Sequence, residues 1–219
     1  LNKETVSISA GNSKMGKIPS ISLPPMLSCP RHAPCFEDGR CYVIKHMKFS
    51  VVVRAFGKNF RIYNDDPERY FKQISGYLDF NEPEYFRFHV GGDIPCQDYY
   101  DRIVKLCCAH KKTKFMFMTK CYMDEHYIHW MKAKDYSIDP IMSNITLYPV
   151  PSNLSIIISS WPGYPIPPYL KAAFPIAYLE DGIEDRIPED AHHCLKHCDE
   201  CYFCWFAKEK KKDVVFHLH

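Results

Sequence analysis

The stretch YFRFHVGGDIPCQDYYDRIVKLCCAHKKTKFMFM, residues 85–118, decides the fold class. Tyr85 to Val90 reads as a strand, rich in aromatic residues and closed by Gly91-Gly92. Gln97 to about His110 reads as a helix, and Lys114 to Met118 as a second strand. Strands separated by helical segments imply right-handed βαβ crossovers and a largely parallel sheet.

The same alternation extends in both directions. Upstream, Ile18 to Leu23 reads as a short strand ending at Pro24-Pro25. Tyr42 to Phe60 looks helical, against the β-branched run Val51-Val52-Val53, and Asp66 to Leu78 is a better helix with Pro67 in its first turn. Downstream the sequence predicts a helix at Met123 to Ala133, a strand at Leu154 to Ser159 and a Pro-rich turn at Trp161 to Pro168. Further strands follow at Phe174 to Leu179 and Val214 to Leu218. About six strands are too few for an eight-stranded barrel, so the choice lies between a partial barrel and a doubly wound sheet. The expectation is an α/β fold: one domain over residues 1–219, a partial open (β/α) barrel of about six mainly parallel strands.

Ligands in such folds gather at the C-terminal ends of the strands. The polar exits there are Cys29, Gly91-Gly92-Asp93, Thr119-Lys120, Ser159-Ser160-Trp161 and Glu180-Asp181. Glycines let the backbone approach a ligand closely, and the Asp93 carboxylate could accept hydrogen bonds from an ammonium group; a simple turn is the plainer reading.

Eleven cysteines are the chemical signal, and seven fall into two groups. Cys194, Cys198, Cys201 and Cys204 lie in HCLKHCDECYFCW, within residues 191–207. The C-x2-C-x2-C run from Cys198 turns three thiolates inward on one loop, as a cuboidal iron–sulfur cluster requires, whereas zinc knuckles are more often paired over a longer separation. Cys29, Cys35 and Cys41 occupy the proline-rich loop 26–42. Three thiolates hold three irons of a [4Fe–4S] cube and leave the fourth open. These cysteines could equally complete one site with the C-terminal four, and spacing does not separate the two cases. Both loops are expected at the C-terminal rim. Cys96, Cys107, Cys108 and Cys121 read as small buried hydrophobes, and His89 as a core histidine satisfied by a neighbour.

Composition bounds the rest. The 28 basic and 26 acidic residues nearly balance, which excludes the global footprint of a dedicated nucleic-acid binder. Lys111 to Lys114 and Lys208 to Lys212 read as solvated faces, with a zinc-stabilised nucleic-acid-associated protein as the weaker alternative. No apolar stretch approaches the ~18–20 residues of a membrane span. Clustered, odd-numbered cysteines fit a reducing compartment, hence a cytoplasmic setting.

The segments GNSKMGKIPSISLPP, RFHVGGD, KFMFMTK, LSIIISSWP and CDECYFCW appear in an order that resembles the phage gene-product-88 family, in which the GGD is often SGD. That resemblance brings no reaction with it. The plan is also similar to radical S-adenosylmethionine enzymes, in which a partial barrel carries three cysteines after its first strand, a Gly-Gly-acid after its second and an auxiliary cluster at its C-terminus. This likeness implies S-adenosylmethionine at Gly91, Gly92 and Asp93. The chain departs from that pattern in spacing its cysteines x5 and x5 rather than x3 and x2, and in Asp for Glu. The leading expectation is therefore one or more iron–sulfur clusters as redox or structural centres, acting with an unknown redox or small-molecule partner.

Overall fold

The computed structural model describes residues 4–30, 33–123, 145–180 and 186–217. They form a mixed α/β fold on one open, mostly parallel sheet of eight strands. The strands are β1 (Ile8–Ser9), β2 (Ser20–Ile21), β3 (Tyr85–Phe88), β4 (Lys114–Thr119), β5 (Leu154–Ser159), β6 (Ile176–Glu180), β7 (His192–His193) and β8 (Val214–His217). Their order across the sheet is β1-β2-β3-β4-β5-β6-β8-β7, with only the β1–β2 pair antiparallel. The expected count was about six; β1 and β7, two residues each, are too short to leave a period in the sequence.

Strands β2 to β6 follow one another in chain order, with no reversal at which a doubly wound sheet would switch faces. Right-handed crossovers in one direction lay their helices on one face. That face carries α2 (Ser50–Asp65), α3 (Pro67–Asn81) and α4 (Gln97–Ala109), after a short α1 (Pro34–Glu37). Ile62, Tyr70, Ile74 and Ile103 pack there against Phe86, Phe88, Phe115, Phe117, Ile156 and Ile158. Asp66 caps α3 by accepting the Arg69 N–H at 2.9 Å, and Pro67 fits its first turn. The Val51-Val52-Val53 run lies in the first turn of α2, which starts later than expected because residues 44–46 form a separate 3₁₀ turn.

The opposite face follows from the two-residue period of the strands. Met116, Ile157, Ala177 and Val214 point there, covered by Phe203, Trp205 and Ala207 of the C-terminal helix and by Met15 and Ile18 of the N-terminal segment. After α5 (Pro168–Ala173), the chain places α6 (Cys198–Cys201) and α7 (Phe203–Lys210) across this face. Trp205 Nε1 donates to the Phe86 carbonyl at 3.2 Å, which fixes α7 over β3. The helix expected at Met123 to Ala133 lies outside the described residues, apart from Met123. No helix among the described residues is long and apolar enough to cross a membrane.

Candidate functional site

Ser28, just before the first cysteine, meets the exit of β3 through the Asp93 N–H. Gly91 and Gly92 leave β3, and Gly92 has φ +82°; a Cβ on it would stand 2.6 Å from the Leu23 carbonyl oxygen and 2.5 Å from Ser28 Oγ. Only glycine lets these two exits meet so closely. The Ser28 hydroxyl accepts the Asp93 N–H at 3.2 Å and donates to the Pro24 carbonyl at 2.9 Å, so Cys29, the next residue, is seated by the GGD turn. Asp93 Oδ1 accepts from the Thr119 hydroxyl (2.6 Å) and the Ile94 N–H (2.8 Å), and Oδ2 accepts from the Lys120 N–H (2.8 Å). Both carboxylate oxygens are thus engaged within the chain. Burial nevertheless raises the pKa of Asp93, the hydrogen bonds from Lys120, Thr119 and Ile94 opposing it.

The three thiols of this loop share one neighbourhood with the Lys120 ammonium. Cys35 donates to Cys41, which raises the Cys35 pKa and lowers that of Cys41. Burial pushes Cys29 up to about 12, with Asp93 adding to it and Lys120 opposing. Trp161, just past β5, closes the far side: its Nε1 donates to Asp38 at 2.9 Å, and Arg40 lies over its ring at 4.8 Å.

Cys194, Cys198, Cys201 and Cys204 come together elsewhere. Cys194 directly follows the C-terminal end of β7, and the four cysteines pack against the second face of the sheet, over Met116, Met118 and Phe216. The sequence could not show this, because the residues that turn α6 and α7 back over the strands act through packing. Cys198 N–H donates to the Lys14 carbonyl (2.8 Å), Cys194 N–H to Val215 (2.9 Å), and Ser155 Oγ to the Cys204 carbonyl (2.7 Å). Gly16 leaves room for Asp199, whose carboxyl would collide with any Cβ there. The four cysteines line a narrow hollow of about 20 Å³ that opens to solvent. Burial pushes Cys204 up to about 12 and raises Cys198.

The two groups are separate. Cys29, Cys35 and Cys41 feel one another and Lys120, whereas Cys198 and Cys204 feel Cys194, Cys201 and Arg87. The question that spacing left open is answered by the sheet, which puts one group at an edge of the strands and the other on a face.

Arg87 is the residue the sequence did not single out. It projects from β3 beneath the four thiols and is 8 % exposed. Its Nε has no hydrogen-bond partner, and among the described residues its guanidinium meets only Met15 Sδ, at 4.0 Å. A buried cation without a counter-charge costs several kcal/mol. Its alternation with His89, visible in the sequence, was the one available signal. His89 is buried as expected, yet neither ring nitrogen has a partner of good geometry. Cys107 and Cys121 are buried as expected, while Cys96, the extended residue before α4, and Cys108, within it, are exposed.

A family model described as Gene product 88 matches residues 2–161. The chain belongs to the Gene product 88 family. The matched region carries Cys29, Cys35, Cys41 and the GGD turn and ends at Trp161, so the four C-terminal cysteines fall outside it. No curated protein and no solved structure matches the chain.

Proposed function

We propose that this family member is an iron–sulfur protein with two centres. Cys194, Cys198, Cys201 and Cys204 would hold one, and Cys29, Cys35 and Cys41 a second. Such clusters supply one-electron transfer or structural cross-linking when bound.

The observation that carries the reading is the Arg87 guanidinium, which has no ion-pair partner among the described residues and lines the same hollow as the four cysteines. A thiolate-ligated cluster is anionic, and it would provide the counter-charge that Arg87 lacks among the described residues. Lys120, half-buried over the Trp161 ring, lies near the N-terminal trio and also near the Asp93 carboxylate. The preference for iron–sulfur over zinc rests on the C-x2-C-x2-C spacing, since zinc knuckles are more often paired over a longer separation; among the described residues no three His, Cys, Asp or Glu side chains are gathered for a single ion. The aromatic cover of the quartet, His192 stacked on Phe203 at 3.9 Å and Tyr202 on Tyr85 at 4.4 Å, would keep water from it.

A second reading, of a radical S-adenosylmethionine type, rests on the trio having three thiols rather than four and on the partial-barrel plan implied by chain-order strands. The engagement of both Asp93 oxygens within the fold weighs toward the first reading, with the GGD as the turn that seats Cys29.

The test is iron and acid-labile sulfide in anaerobically purified protein. Replacing Cys198 and Cys201 by Ala is expected to remove about half of both and leave the trio's share. Stoichiometric zinc without sulfide would overturn the assignment.

A further inference from the structure

Among the described residues, eight of the twelve large apolar side chains that face solvent fall within residues 26–53, the segment that carries the N-terminal trio. Leu27 is 66 % exposed, Val51 64 % and Phe49 50 %. Val51 and Val53 stand in the first turn of α2, where a β-branched residue gains neither helix propensity nor burial. The fold gives no reason for them. Apolar side chains exposed this densely along one segment are a candidate interaction site where they share a side, as Phe49 and Val51 at the start of α2 can and Val51 and Val53, two residues apart on the helix, do not.

From Gly39 to Asn64 the charged side chains are of one sign. Between Asp38 and Asp65 there is no acidic residue, while Arg40, Lys45, Lys48, Arg54, Lys58 and Arg61 are all basic. Arg40 and Arg61 pair with Asp38 and Glu4. Lys48 lies 5.2 Å from the centre of the Phe49 ring, and Lys48 and Arg54 remain exposed.

We propose that this face docks an acidic one-electron carrier protein, whose apolar centre covers the exposed side chains and whose carboxylates meet the cations. Interfaces combine an apolar core with a charged rim, and charge complementarity sets encounter rate and register. The aliphatic Leu27, Ile44, Val51 and Val53 have no π face, so a nucleic-acid strand, which binds such surfaces by base stacking, matches only part of the patch. A second copy across a two-fold axis would set the same cations against one another. The face adjoins the trio directly, since Cys41 and Ile44 are three residues apart and Ile44 is exposed. Docking itself does not depend on the iron–sulfur reading; the transfer does. In that step one electron leaves the carrier, which is oxidised, and the centre held by the trio is reduced, with no bond made or broken.

Plant-type ferredoxin serves as the acidic probe, with the intact chain and the K48E/R54E and V51S variants checked for unchanged thermal unfolding. Both variants should bind fluorescently labelled ferredoxin more weakly, the charge reversal by about tenfold or more at low salt. Bleaching of the visible absorbance by reduced ferredoxin should slow in parallel, while bleaching by dithionite stays unchanged. Equal binding by wild type and variants overturns the proposal, as does release of ferredoxin by equimolar dT20 or by phosphatidylserine vesicles. Variant-sensitive binding by protein that assembles no iron would keep the docking face and remove the iron–sulfur reading. Full iron with variant-insensitive binding would do the reverse.

Discussion

His89 shows how much one buried side chain can report. It leaves β3 with φ +57°, a left-handed conformation uncommon for residues other than glycine, and lies among Phe88 and Tyr99. Burial lowers its pKa from 6.5 to about 3. The unfolded chain therefore holds more protons than the folded one between those two values. The stability from this neutral histidine is complete above pH 6.5 and is lost as pH falls toward about 3, with a slope of at most about 1.4 kcal/mol per pH unit. Urea titrations across pH 4–7 should show His89→Phe losing this slope relative to wild type. Asp93 works in the opposite sense: burial favours its neutral form, so stability falls as pH rises from the usual carboxylate range through its raised pKa.

At the scale of elements, the exit of β3 is a latch between three strands. Leu23 N–H donates to the Gly91 carbonyl at 3.1 Å, and the Ser22 hydroxyl accepts the N–H groups of Val90 and Gly91 at 3.2 Å each. Gly92 makes the approach possible. Gly92→Ala should cost about 2–4 kcal/mol, from a Cβ forced against a carbonyl oxygen and from strain at positive φ. Chemical denaturation measures that loss. Because Ser28 and Cys29 hang from this turn, the substitution should also raise the alkylation rate of Cys29, read by mass spectrometry of the iodoacetamide adduct.

At the scale of the molecule, the sheet has two unlike covers. Helices α2 to α4 bury one face mainly by hydrophobic packing, with Asn59 hydrogen-bonded to the Ser22 carbonyl, whereas the second is covered by α7 and by the segment carrying the quartet. If that segment is cross-linked by a metal centre, ligation and folding are coupled there and not on the other face. Removing iron with a chelator should lower the melting temperature. Hydrogen exchange should then show lost protection in Phe203–Lys210 and Val214–His217, with α3 and α4 unchanged. Equal loss over the whole chain would show instead that the quartet does not secure its own face.

The local alternation of the chain was enough to determine the class of fold. Leu154–Ser159 appears as expected, and Gln97–Ala109 and Lys114–Thr119 fall within a residue of expectation, because their side chains carry the period of the element that buries them. The meeting of Asp93 with Thr119 and with Ser28, the residue before Cys29, was legible too, since parallel strands must end together. Sequence could not decide where the quartet sits. A run of cysteines states its ligand chemistry through spacing, but its position depends on Trp205, Ser155 and Gly16 reaching partners up to 183 residues away in the chain, as Gly16 does with Asp199. Nor could it show that Arg87 is a buried cation: its neighbours along the strand mark it as alternating, and only the packing of α7 over the second face removes it from water.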